Sequence, residues 1–278
     1  MKKLAFSNSL KVAERRYIQS IHEQRELKNP DSLVGMFLPV LRRWRCRWLS
    51  PRIVAALQTD PIYYYLLART RYYDALFLNA ITNNVQYIIN VGCGTDTRAY
   101  RFEQALTQKG VKVLECDQPN AIQIKQDLAK RVGCNRNLAY VSIDLNADSW
   151  SDFEAWLTTK KPAKTLVFME GVAPYIKADR FTQFLRFLAQ NLSTGSRVAY
   201  DFKLRGFDED LDSAGQTKNL FRLAGERDTV AAFHGEIGYQ LDHMERSADL
   251  TTRLLAGLDA SRSPLFIEDA LIQLEVMH

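Results

Sequence analysis

The chain has 278 residues, 46% of them hydrophobic and 25% charged, which excludes a disordered or low-complexity chain and leaves room for one large α/β domain or two small ones. A formal charge of +5 does not by itself require nucleic acid, and none is expected as a partner. No run approaches the roughly 20 apolar residues of a membrane span, and the opening MKKLAFSNSL has no apolar h-region, so neither a transmembrane segment nor a signal peptide is read.

In chain order, residues 10–27 read as a charged helix with Val12, Ile18 and Ile21 at apolar positions, interrupted by Pro30 and Pro39. Residues 41–52 carry Arg42, Arg43, Arg45, Arg47 and Arg52, with Trp44 and Trp48 four apart and so on one face of a helix. Two readings stand. One is an amphipathic lid helix with a solvated basic face. The other is a docking patch for an acidic carrier protein or an anionic membrane surface. Residues 62–81 form a second helical run, and its tyrosines Tyr63, Tyr64, Tyr65, Tyr72 and Tyr73 read as packing residues.

The period then changes. Apolar runs at 85–91, 111–116, 138–143, 164–169 and 197–202 alternate with helical patterns at 98–107, 119–132, from Ser149, and at 178–192. That alternation predicts right-handed βαβ units and a parallel sheet covered on both faces. Residues 203–216 read as a mobile loop near the site, and 237–243 and 270–277 as two further strands, seven in all. With no repeat and no Gly/Ser-rich or Pro-rich linker, one decorated domain is expected.

Cys46, Cys93, Cys116 and Cys134 match no zinc spacing, and no metal is expected. Four unpatterned thiols without a signal peptide point to the reducing cytoplasm, with Cys93 and Cys116 semi-buried.

The chemistry gathers where the strands end. The first strand runs into Gly92-Cys93-Gly94-Thr95-Asp96-Thr97-Arg98. Two glycines there permit a tight turn and close approach of a ligand, though a plain β–α turn would look the same. A dinucleotide site wants a third glycine, and Thr97 holds that position. The second strand ends at Asp117, about 23 residues after Gly94. A carboxylate there can accept both ribose hydroxyls of an adenosine, or it can cap the helix that starts near Pro119. The third strand ends Asp144-Leu145, an acid for an adenine amino group beside an apolar flank, and the fourth ends Glu170-Gly171. In an open parallel sheet, ligands bind beyond these carboxyl ends.

Ala68-Arg69-Thr70-Arg71-Tyr72-Tyr73-Asp74, Gly92 to Arg101, Glu115-Cys116-Asp117-Gln118-Pro119, Asp144-Leu145, and Glu170-Gly171-Val172 with Tyr175 resemble the leucine carboxyl methyltransferase family. The resemblance is nearest to its bacterial branch, which includes polyketide methyltransferases of the tetracenomycin type. It covers about residues 62–202. It implies a class I, Rossmann-like seven-stranded sheet (residues 61–278) under an N-terminal helical lid (1–60), and S-adenosylmethionine as cofactor. It implies that Arg69 holds the methionine carboxylate, that Gly92, Cys93 and Gly94 line the methionine portion, and that Asp117 with Gln118 binds the ribose. Asp144 and Leu145 would meet the adenine, Glu170 with Gly171 the amino group, and Tyr175 the acceptor. Cys93 stands where the family usually has alanine, and Ala173-Pro174 where leucine or methionine is more usual.

These implications point to O-methylation of a small secondary metabolite, of polyketide or peptide–polyketide type. Methyl-ester formation on a protein C-terminal carboxylate is the alternative, and a cofactor-binding protein that has lost transfer is the non-enzymatic reading. No general base is named. Among His22, His234, His243 and His278, His234 reads as a helix C-terminal cap placed well for the dipole, and His243 as a residue following a strand.

Overall fold

The computed structural model describes residues 2–159, 163–207, 219–256 and 264–277, with side chains from residue 8 onward. Five parallel strands, β1 (Tyr87–Val91), β2 (Lys112–Asp117), β3 (Leu138–Ser142), β4 (Thr165–Met169) and β5 (Arg197–Leu204), fall on the five apolar runs. β6 (Arg222–Leu223) adds two residues alongside the end of β5, too short a segment for periodicity to reveal. β7 (Tyr239–Arg246) and β8 (Asp269–Val276) complete a sheet of order β3-β2-β1-β4-β5-β8-β7, in which β8 is antiparallel to both neighbours. The order reverses between β1 and β4, and the crevice beyond their carboxyl ends is where such a sheet takes a ligand.

Alternation along each strand divides the core. Ile89, Leu114, Val167, Met169 and Val198 face one layer, which contains helix α9 (Ala178–Asn191). Ile88, Val113, Leu166, Phe168 and Ala199 face the other, which contains α4 (Pro61–Thr82). α4 starts where Asp60 accepts a hydrogen bond from the Ile62 N–H and Pro61 takes the first helical position. All five of its tyrosines are buried, as their packing role requires.

The N-terminal segment is helical and lies against this second layer. It comprises α1 (Lys2–His22), α2 (Val40–Arg47) and α3 (Pro51–Gln58). Arg16 pairs with Asp31 inside the segment, and the Gln19 amide donates to the Tyr63 carbonyl, tying the segment to α4. The remaining helices are α5 (Arg98–Arg101), α6 (Glu103–Lys109), α7 (Pro119–Ala129), α8 (Ser151–Thr158), α10 (Arg227–Gly235) and α11 (Ser247–Leu254). Among the described residues no helix is long and apolar enough to cross a membrane.

Several expectations are corrected. The helix read at 98–107 is two helices that divide at Phe102. The basic stretch at 41–52 is not one helix: α2 ends at Arg47, and Pro51, which cannot donate a backbone hydrogen bond, opens α3. Cys93 and Cys116 are fully rather than partly buried. His234 lies within α10 and is turned inward, its Nδ1 donating to the Val230 carbonyl and its Nε2 accepting from the Tyr200 hydroxyl. Burial lowers its pKa to about 4, so it is neutral and gives the helix dipole no cation. His243 lies inside β7, at its bulge, rather than after a strand. Of the loop read at 203–216, the first two residues belong to β5, and residues 208–216 lie outside the described residues.

Candidate active site

The glycine-rich turn after β1 is held from three sides. Gly92 and Cys93 donate backbone hydrogen bonds to the Cys116 carbonyl at 2.7 and 2.9 Å. Gly94 donates to Asp117 Oδ2 at 2.7 Å, and Gln118 donates to Asp117 Oδ1 at 2.7 Å. Both of these donors precede the first residue of α7, so Asp117 stiffens the turn rather than capping that helix. Burial, the largest influence, pushes the Asp117 carboxyl up, against the two N–H bonds that favour its ionised form. Gly92 and Gly94 have φ of +75° and +41°. A Cβ on Gly92 would run into Val172 beyond β4, and one on Gly94 into the Ser9 hydroxyl of α1. The glycines thus admit close protein neighbours as well as any ligand. Beneath the turn, the buried Lys125 pairs with Glu115 at 2.8 Å and reaches the Cys93 carbonyl at 3.4 Å.

Across the crevice, α4 and the ends of β4 and β5 build an ionic cluster. Arg69 donates from Nε to Glu170 Oε1 at 3.2 Å and from Nη1 to Asp201 Oδ2 at 3.3 Å. Its Nη2 makes no hydrogen bond among the described residues. Asp201 also accepts from Tyr73 at 3.0 Å and from the Gly171 N–H at 2.8 Å. Arg98, fully buried, donates to Asp74 at 2.8 Å, to Glu170 Oε2 at 2.8 Å, to Asp96 and to the Thr70 carbonyl. Arg101 bonds Asp74 through both terminal nitrogens at 2.7 and 2.6 Å. Near Arg69, Asp269 accepts from Tyr65 at 3.1 Å. Burial, with the Asp201 charge, raises the Asp269 carboxyl to about 7. For Asp96 burial works the other way from its partners. Arg98, Lys125 and Arg16 override it and hold that carboxyl below its usual range.

The cluster sets Asp74, Asp96, Glu170, Asp201 and Asp269 against the guanidinium groups of Arg69, Arg98 and Arg101, an excess of carboxylates. An arginine with an uncommitted nitrogen inside an anionic surround suits a ligand that carries a carboxylate beside a cationic centre. Asp117, at the end of the neighbouring strand, offers lone pairs beyond the two that it spends on backbone N–H groups.

The structure therefore brings Arg69, Gly92, Cys93, Gly94, Asp117, Gln118, Glu170 and Gly171 to one sheet edge. Asp144 and Leu145 follow β3 there. Asp144 accepts from the Asn146 N–H, and Leu145 is buried. Tyr175 ends a short 3-10 turn (Ala173–Tyr175) with its side chain 57% exposed. Sequence reasoning gave no site role to Arg98, Asp74 or Asp201, and read Tyr73 only as a packing residue. Asp201 left a signal, an acid inside the apolar run of β5, which is a buried charge in need of a partner. None of the described histidines joins the cluster: His22 meets the Cys46 carbonyl, and His243 lies 3.5 Å from Glu245. Among the described residues, no group of three or more His, Cys, Asp or Glu could hold a metal ion.

The profile of the leucine carboxyl methyltransferase family matches residues 12–189. A protein of Mycobacterium ulcerans named a putative S-adenosyl-L-methionine-dependent methyltransferase is 30% identical over 158 residues, 55% of this chain and 48% of its own length. The chain thus spans about half the length of that relative. A protein of the same name from Mycobacterium bovis is 27% identical over 244 residues, 78% of this chain and 76% of its own length. A crystal structure of magnesium protoporphyrin IX methyltransferase from Synechocystis PCC 6803 aligns with 89% of this chain and 92% of its own at a TM-score of 0.48 and 11% identity.

Proposed function

The chain belongs to the leucine carboxyl methyltransferase family, and from that premise we propose that it is an S-adenosylmethionine-dependent O-methyltransferase acting on a small secondary metabolite, of polyketide or peptide–polyketide type. The observation that carries the cofactor assignment is the meeting of Arg69 and Glu170 with the Asp117-braced glycine turn at the switch point of the sheet. In this reading Arg69 receives the methionine carboxylate through its uncommitted nitrogen, and Glu170 with Gly171 faces the amino group. Gly92, Cys93 and Gly94 line the chain between. Asp117 with Gln118 holds the ribose, and Asp144 with Leu145 meets the adenine. Tyr175 borders the acceptor. We assign residues 1–60 to a lid and 61–278 to the transferase domain; the Ser9–Thr95 and Asp31–Thr97 side-chain bonds, which rest the first part on the glycine turn, support the lid reading.

When bound, the cofactor supplies an activated methyl group on a sulfonium. The work left to the chain is alignment and exclusion of water. Glu170 is clamped by Arg69 on one oxygen and Arg98 on the other, so its position is fixed before a ligand arrives. An ionised carboxylate acceptor would need no base; a hydroxyl acceptor loses its proton on transfer, and no described residue is assigned to take it.

The test is direct. Calorimetric titration should show heat with S-adenosylhomocysteine and none with NAD, and labelled methyl groups should appear on small phenolic or hydroxylated acceptors. Transfer only to a peptide C-terminal carboxylate would establish the second reading, which the family's namesake activity favours. Binding without transfer to any acceptor would leave a cofactor-binding protein.

A further inference from the structure

Helix α2 is amphipathic in an unusual sense. Cys46 is its only buried side chain, while Val40, Leu41 and Trp44, with Trp48 just past its end, are 59–82% exposed. At 3.6 residues per turn these four share an arc of about 100°, flanked on one side by Arg45 and on the other by Arg47. Ile53, at the start of α3, is exposed as well. Arg45 and Arg47 are exposed as a solvated basic face would have them, but the arc between them is apolar rather than cationic.

Beside the stripe runs an open groove of about 400 Å³. Tyr17, Ser32, Met36 and Trp44 line it together with Arg43 and Arg47. No acidic residue occurs between Leu38 and Thr59. Glu14 of α1 is shared by Arg42 and Arg45 at 3.3 and 3.5 Å, and Arg43, Arg47 and Arg52 form no ion pair among the described residues.

We propose that α2 is an interfacial anchor that seats the protein on an anionic phospholipid bilayer. Leu41, Trp44 and Trp48 enter the headgroup–acyl boundary, and a lipid phosphate sits in the groove between Arg43 and Arg47. Charge complementarity selects the anionic surface. Apolar side chains bracketed by arginines, with tryptophan at the boundary, are what an interfacial helix presents to lipid. Size argues against a protein partner. A stable interface buries about 800 Å² on each side, more than a helix about 12 Å long presents, whereas insertion by about 5–10 Å needs no matching shape.

The full chain should co-sediment with vesicles of equimolar phosphatidylcholine and phosphatidylglycerol, with a blue-shifted tryptophan emission, and not with phosphatidylcholine alone. Each basic residue near an anionic surface contributes about fivefold to partitioning, so Arg43→Gln with Arg47→Gln should weaken it about 25-fold. Trp44→Ala with Trp48→Ala should abolish the shift of emission and lower partitioning, while near-ultraviolet dichroism and melting stay those of a folded protein. No partition into the mixed vesicles overturns the proposal. So does equal partition into both compositions, which would remove the headgroup role. Saturable binding to soluble polyglutamate without vesicle binding would assign the face to an acidic protein. Concentration-dependent self-association lost in the tryptophan variant, again without vesicle binding, would assign it to a second copy of the chain.

Discussion

Arg98→Met tests whether the buried ionic cluster holds the site together. Methionine is similar in length and apolar, so packing against Tyr73 and Phe168 is largely kept while every hydrogen bond of the guanidinium is lost. Asp74, Asp96, Glu170 and the Thr70 carbonyl each lose a donor. Breaking a buried pair by removing one partner costs about 3–5 kcal/mol. In a chain of this size each kcal/mol moves Tm by about 2–4 °C, which gives a fall of roughly 6–20 °C. The sign of the pH dependence follows from Asp96. Burial opposes its ionisation, but Arg98 above all holds the carboxyl low in the parent, so it stabilises the fold above its unfolded pKa and that contribution is lost only as pH falls through the lower folded value. Without Arg98 the Asp96 carboxyl rises and can take up a proton, and the penalty shrinks in acid. Scanning calorimetry of parent and variant should therefore show a gap in Tm that is wide at about pH 8 and narrower at about pH 5. A variant that melts within about 2 °C of the parent at the higher pH, or a gap that does not change with pH, would refute a cluster held by charge.

Asp117→Ala should weaken S-adenosylhomocysteine binding by about one to two decades, because hydrogen bonds to a charged group contribute roughly 1.5–3 kcal/mol; unchanged affinity in a calorimetric titration would leave Asp117 only its bonds to Gly94 and Gln118. Gly94→Ala adds a methyl group against Ser9 and a left-handed cost of about 1–2 kcal/mol, so hydrogen exchange should quicken in α1 around Ser9. If exchange there matches the parent, α1 does not rest on the glycine turn as described. Burial keeps His234 neutral, with a pKa of about 4 against the ordinary 6.5, so the unfolded chain binds the extra proton and stability falls as pH drops across that window, by roughly 3 kcal/mol in all. His234→Gln should flatten the acid limb of Tm against pH, and an unaltered limb would place the acid sensitivity elsewhere.

Elements whose chemistry is local were legible in the residue pattern. Five apolar runs, each four to eight residues long and the first four each followed by a helical pattern, predict covered parallel strands, and the structure has all five within a few residues of the expected ends. The strand-end residues Gly92, Gly94, Asp117, Asp144 and Glu170 were legible for the same reason, since a parallel sheet puts every strand's carboxyl end on one edge. Long-range charge pairing came only with packing. Arg98 reaches Asp74 and Glu170, 24 and 72 residues away, and Asp201 reaches Tyr73 across 128 residues. No periodicity encodes such partners, because a buried ion is held by whichever groups the packing of α4, β4 and β5 brings within hydrogen-bond reach. The outward turn of Leu41, Trp44 and Trp48 was equally invisible. A helical stripe reads the same from either side, and only Cys46, packed inward, fixes which side of α2 meets solvent.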